Sequence, residues 1–168
     1  MLIVGIDPGK KGGIAFLTPL DMILTVHDMP VIPNGKTKTS VDLNVRQLYN
    51  ILTPPIDSGR IVAGIEKVHS MPGEGVSSAF TFGSICGAID MATVAHGYEQ
   101  IFITPQKWKK YFGISADKNI ARQLATQRFP NNAQSFLRVK DDGRAEASLI
   151  AIYIYEQHLK GIPTCSSS

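Results

Sequence analysis

The chain opens with a short apolar run, LIVGID (2–7), that ends on an acid and meets a cluster of turn-forming residues, DPGKKGG (7–13). GIAFLTP and MILTVHDMP follow, with Asp21 at the break between them. Apolar runs of this length bounded by Gly, Pro and Asp predict three strands, the first two an antiparallel hairpin. VIPNGKTKTS (31–40) is polar and basic and predicts a loop. Ser40 is placed to cap a helix from Val41 to Leu52, where Leu43, Leu48 and Ile51 recur at helical spacing.

After the loop TPPIDSG, RIVAGIEKV (60–68) predicts a buried strand with Glu66 at its end, and SMPGEGVSS (70–78) breaks structure. AFTFGSICGAIDMATVAHG (79–97) predicts a nearly uncharged helix closed by Gly97. Its Gly83 and Gly87, four apart, are expected to allow close packing against another helix or strand. YEQIFIT (98–104) predicts a further strand, Pro105 opens a short basic helix through Tyr111, and Asp117 begins a helix to about Phe129. Arg144 to Leu159 is the last helix, and GIPTCSSS a frayed end. No repeat or linker divides the chain, which is expected to be one domain over 1–162 with a flexible tail over 163–168. Three strands followed by alternating helices and strands predict an α/β fold with a mixed sheet.

Composition narrows the picture only a little. At 168 residues the chain is long enough for a real core. Its net charge of +3 permits an anionic partner without demanding one. Two cysteines, Cys86 and Cys165, suggest no disulfide framework and fit a reducing compartment such as the cytoplasm. No uninterrupted apolar run of membrane-spanning length and no signal-peptide pattern is apparent, so neither a membrane span nor a signal peptide is expected.

The chemistry lies in the acids. Asp7 and Glu66 each end a very apolar strand, and neighbouring parallel strands would deliver both to one sheet edge, where α/β folds place ligand sites. In VKDDGRAEASLIAIY (139–153), Asp142 and Glu146 are four apart, about 400° of helical rotation, and so share a face. Asp141 lies about 140° from Glu146 and is expected to point elsewhere, as a neighbour or helix cap. Should the helix begin late, Asp141 rather than Asp142 is the third ligand. Four converging carboxylates repel one another unless cations neutralise them, and oxygen ligands at that density suit Mg²⁺ or Mn²⁺ rather than zinc. Trp108 is expected in the core.

Four stretches, VGIDPG (4–9), GIEKV (64–68), TPQKWKKYFGISADK (104–118) and DDGRAEASLIAIY (141–153), together resemble the RuvC-type Holliday-junction resolvases, and most of all the phage and plant chloroplast members. They stand in the family's order and span nearly the whole chain. The resemblance implies an RNase H-like fold: a five-stranded mixed sheet, its first three strands antiparallel, flanked by helices. It implies a homodimer whose two sites face the two cut strands of a four-way DNA junction. Asp7, Glu66, Asp142 and Glu146 match the metal-binding acids, although the helix pair in bacterial enzymes is commonly two aspartates three apart. Lys118 in SADK matches a catalytic-site lysine, and Lys109 in WKK another basic site residue. Where the family places an aromatic side chain that stacks on a junction base, this chain has His69. Lys10, Lys11, Lys36 and Lys38 are further candidates for phosphate contact.

The expected reaction is nicking by two Mg²⁺ ions, with Mn²⁺ as a substitute, leaving a 5′ phosphate and a 3′ hydroxyl. In that scheme Asp7 bridges the ions and Glu66, Asp142 and Glu146 complete their shells. A nucleoid or phage-infected cytoplasm fits this activity, and an organelle stroma or matrix is compatible with it. The rival expectations are an RNase H-like nuclease acting on RNA or on flap and fork DNA, and a fragment of an actin-like ATPase. VGIDPGKKGGIAFL (4–17) also resembles the first phosphate motif of the actin-like ATPases and sugar kinases, but those folds need two such domains and a second phosphate loop.

Overall fold

A computed structural model describes residues 1–35, 41–55, 58–67, 75–114 and 118–159. Three strands, β1 (Leu2–Asp7), β2 (Gly13–Thr18) and β3 (Ile23–Asp28), run antiparallel in succession. Two short strands, β4 (Val31–Pro33) and β5 (Val41–Leu43), pair with each other outside the main sheet. Helix α1 (Val45–Leu52), strand β6 (Ile61–Glu66), helix α2 (Val76–Ala95) and strand β7 (Glu99–Ile103) follow. Helices α3 (Pro105–Phe112), α4 (Lys118–Arg128) and α5 (Asp142–Ile154) complete the order, with 3-10 turns between the last two. The main sheet runs β3-β2-β1-β6-β7, and β1, β6 and β7 are parallel.

Alternation along the strands builds two cores, one on each face. Val4, Ile6, Ala63 and Ile65 pack towards α1 and α2 with Leu48, Leu52, Ile85 and Ile89. Ile3, Val62 and Ile103 pack on the other face with Trp108, Ala147, Ile150 and Ala151. Helix α5 is buried along nearly its whole length because it lies directly on β1 and β2. Glycine lets it approach: a Cβ at Gly5 would collide with backbone atoms of Ala147 and Ala151, and one at Gly143 with the backbone of Lys11 and Gly12. Arg144 reinforces the seat through a two-pronged ion pair with Asp28 at the end of β3, at 2.6 and 2.7 Å.

Several boundaries differ from the sequence expectation. Residues 31–33 are a strand rather than loop, and Val41–Leu43 pairs with them instead of beginning a helix. Helix α1 starts at Val45 because the Asn44 side chain accepts the Gln47 N–H at 3.1 Å, the bond an N-cap needs. Ser40 lies outside the described residues, as do Asp117 and the expected tail over 163–168. Helix α5 begins at Asp142, two residues before Arg144, and Tyr155–Leu159 widens into a π-helical turn. Gly83 and Gly87 do not mediate close packing within the chain, since a Cβ at either would meet nothing within 4 Å. They sit on the exposed side of α2, whose inward stripe is Ile85, Ile89, Ala92 and Thr93. By length and composition α2, with a mean hydropathy of 1.3, would pass for a membrane span, a feature its scattered Ser, Thr and Gly conceal in the sequence. Only its inward stripe packs with the core residues of the sheet, and most of the helix is exposed.

Candidate active site

Strands β1 and β6 lie side by side in parallel, with Ile6 opposite Ile65, so Asp7 and Glu66 both emerge at the carboxyl end of the sheet. Residues two apart face the same side of a strand. Gly5 and Gly64 both face α5, so Asp7 and Glu66 are directed to the α5 face as well. The first turns of α5 cover this end: Gly12 bridges Gly143, and Gly13 lies against the Gly143 carbonyl. The fold thus carries Asp142 and Glu146 to the sheet edge that holds Asp7 and Glu66.

Glu66, Glu146 and Asp142 each have a defined partner. Glu66 is 7% exposed, and its Oε1 accepts a hydrogen bond from the Trp108 indole N–H at 2.8 Å. Glu146 is 8% exposed, and its Oε1 accepts from Lys109 Nζ at 3.0 Å. Asp142 Oδ1 lies 3.1 Å from Arg122 Nε, both side chains being mostly buried. Arg122 also donates to the Leu137 carbonyl at 3.2 Å and to the Asn119 side chain. Asp141 is turned to another role. Its carboxylate accepts from the Arg138 backbone N–H at 2.8 Å and from the Arg138 guanidinium, closing the turn that leads into α5.

Electrostatics separate these acids. Burial pushes the Glu66 carboxyl above its ordinary range; the Trp108 hydrogen bond opposes this, the Glu146 charge adds to it and Lys109 offsets part. Burial also acts upward on Asp141, but the hydrogen bonds and charge of Arg138, with Arg144, outweigh it and hold this carboxyl below its ordinary range. Glu66 and Glu146 are therefore an unfavourable pair that cationic charge relieves, whereas Asp141 is a satisfied structural acid.

Among the described residues, no group of three or more His, Cys, Asp or Glu side chains is gathered closely enough to hold one metal ion. The acids are parcelled out to Trp108, Lys109 and Arg122. Their chemistry nonetheless fits a hard divalent cation: the donors are carboxylate oxygens, and Glu66 and Glu146 repel each other within one buried patch. The residues that would hold such an ion are Asp7, Glu66 and Glu146, with Asp142 on the same helical stripe as Glu146.

The basic candidates divide. Lys109 is drawn into the site by Glu146, its Nζ also 5.0 Å from the centre of the Trp108 ring. Lys10 lines a cavity of about 200 Å³ with Ser77, Ser78 and Thr81 at the start of α2, and Lys11 is exposed in the β1–β2 turn. Lys118 opens α4, but its side chain lies outside the described residues, as do Lys36, Lys38 and His69. Sequence reasoning overlooked Arg122 and the polar end of Trp108. Arg122 is four residues beyond Lys118 and so on the same helical face, which was a usable signal. Nothing in the sequence marked the Trp108 contact, because 42 residues separate it from Glu66.

No sequence-family model matches the chain, and no curated protein does. Solved structures do. RuvC of Thermus thermophilus in complex with a Holliday junction substrate aligns with a TM-score of 0.62 at 13% identity, over 95% of this chain and 97% of that one. Another Thermus thermophilus RuvC structure aligns with a TM-score of 0.54 at 15% identity, over 93% and 96%. The fowlpox virus Holliday junction resolvase aligns with a TM-score of 0.53 at 15% identity, over 93% and 98%. The five-stranded sheet, its antiparallel beginning and its flanking helices agree with these structures from end to end: the chain has the RNase H-like fold of the RuvC-type Holliday-junction resolvases.

Proposed function

We propose that the protein is a Mg²⁺-dependent, structure-selective endodeoxyribonuclease that resolves four-way DNA junctions by symmetric nicking, acting as a homodimer. The observation that supports this reading is the placement of the first turns of α5, which carry Asp142 and Glu146, over the adjacent ends of β1 and β6, which carry Asp7 and Glu66. A neighbour of the same fold, aligned over nearly its full length, is a RuvC bound to a Holliday junction substrate.

Bound at this edge, magnesium ions would supply an activated water and neutralise charge on the scissile phosphate, leaving a 5′ phosphate and a 3′ hydroxyl. The chain's own residues prepare the place. Asp7, Glu66 and Glu146 present oxygen ligands from a strand end, its neighbour and a helix, all on rigid elements. Lys109 and Arg122 hold positive charge against those acids and are placed to meet phosphate oxygens. Lys118, the first residue of α4, is proposed as a further cation of the reaction. Lys10 and Lys11, on the turn that follows Asp7, would contact the DNA backbone beside the cut; Lys36, Lys38 and His69, outside the described residues, are proposed as further DNA contacts.

The deciding experiment compares cleavage of a four-way junction, a fork, a duplex and an RNA–DNA hybrid, each with and without Mg²⁺. Symmetric nicks in the junction that need Mg²⁺ are expected. Preferential cutting of the fork or the hybrid would replace this reading with that of a related nuclease. Asp7→Asn is expected to reduce cutting at least 1,000-fold, about 4 kcal/mol of barrier, while junction affinity stays within about threefold, under 1 kcal/mol. Wild-type cutting by that variant would sink the site assignment.

A further inference from the structure

Resting on the reading of the acids as a magnesium site, we propose that Trp108 is a positioning residue that fixes the orientation of Glu66 for metal binding. Trp108 is fully buried, 0% exposed, and packs in the core cluster with Ile103, Phe129 and Phe136. A core tryptophan must still find an acceptor for its indole N–H, and a backbone carbonyl commonly provides one. Here the acceptor is the carboxylate of Glu66, at 2.8 Å. A ring held on all sides cannot follow a wandering partner, so the single N–H selects one oxygen and one rotation of the carboxylate. The arrangement parallels the outer hydrogen bonds that orient metal ligands in other proteins.

Helix α3 makes the placement firm. Pro105 starts it, and Gly113, in the left-handed conformation, ends it with its N–H bonded back to the helix. The residue after Trp108 is Lys109, whose ammonium holds Oε1 of Glu146 at 3.0 Å. Two consecutive side chains of one short helix thereby address one carboxylate from β6 and one from α5. On metal binding, Glu146 would exchange Lys109 for the cation and Lys109 would turn to a phosphate oxygen. Trp108 is uncharged and enclosed, so it keeps Glu66 in place throughout.

The chain contains a single tryptophan, which makes the idea testable at one atom. Trp108→Phe removes the N–H and keeps an aromatic ring. Biosynthetic replacement of tryptophan by 3-benzothienylalanine substitutes sulfur for the N–H and keeps the bicyclic shape. Mn²⁺ binding by calorimetry and Mg²⁺ titration of junction cleavage are measured on the full chain for wild type and both variants. Both variants are expected to need about tenfold more metal in both assays. Without metal, both are expected to melt several degrees lower than wild type, Trp108→Phe the more because it also leaves a cavity. Junction affinity without metal is expected to match wild type within about twofold, a difference of less than about 0.5 kcal/mol. If Trp108→Phe fails to fold, the isosteric analogue decides. Metal requirements within twofold of wild type in the folded variants overturn the proposal. The emission spectrum of the sole tryptophan, compared between wild type and Glu66→Ala, which removes the acceptor, reports the contact independently of nuclease activity. A shifted spectrum is expected, and identical spectra overturn the contact. A wild-type chain that binds no Mn²⁺ and cuts no junction refutes the magnesium-site reading itself, whatever the emission shows.

Discussion

Asp141 and Asp142 are adjacent in the chain and opposite in role, and the difference comes from one partner each. Asp141 is enclosed by the Arg138 backbone and guanidinium, and Asp142 faces Arg122 on α4. Because the folded Asp141 carboxyl lies below its ordinary value, its contribution to stability is fully present above the unfolded value, about 4. That contribution is lost as pH falls through the folded value. Asp141→Asn is therefore expected to lower the melting temperature by several degrees at neutral pH, with the gap to wild type closing in strong acid. Thermal melts of both proteins from pH 7 to pH 2 check this, and a gap independent of pH would contradict the assignment. Helical rotation alone already separated Asp141 from Glu146. That Arg138 would be its partner was beyond the sequence, because only a defined turn brings residues three apart into that geometry.

Among the elements, α5 does the most to create the site, and glycine sets how close it comes. Gly5→Ala would press a methyl group on the backbone of Ala147 and Ala151, which cannot move without displacing α5. Gly64→Ala would instead meet the side chain of Ile154, which has rotamers to yield. The expected cost is about 3 kcal/mol for Gly5→Ala and about 1 kcal/mol for Gly64→Ala, near the two ends of the range for overpacking. Urea denaturation of both variants measures it, and equal losses would show that α5 shifts as a body. Gly5→Ala is also expected to reduce cleavage beyond its effect on stability, since displacing α5 moves Glu146 away from Glu66. The strand periods that define this sheet were legible in the sequence. Asn44 as the start of α1 was not, because Leu43 continued a helical spacing while its backbone joined a strand pair.

At the scale of the molecule, α2 presents a partly apolar outer side: Phe80, Met91 and Val94 are 77%, 69% and 57% exposed. Gly83 and Gly87 are exposed on the same helix, leaving room for a second backbone. We propose this face as part of the interface of the homodimer. Met91→Glu is expected to shift the protein from dimer to monomer in light scattering, with its fold intact by circular dichroism. A monomeric wild type, or a dimer unaffected by Met91→Glu, would remove α2 from that role.

What the sequence determined by itself was everything that depends on local periodicity: the strands of the main sheet, the helical stripe shared by Asp142 and Glu146, and the acids standing where apolar strands end. Period-2 and period-3.6 patterns are local properties, and burial of one face enforces them. What only the tertiary structure decided was the company those acids keep. Trp108 on Glu66, Lys109 on Glu146 and Arg122 on Asp142 join residues from separate elements. The distance along the chain between such partners carries no signal. They meet because parallel strands, close glycine contacts and a buried helix carry them to one edge of the sheet.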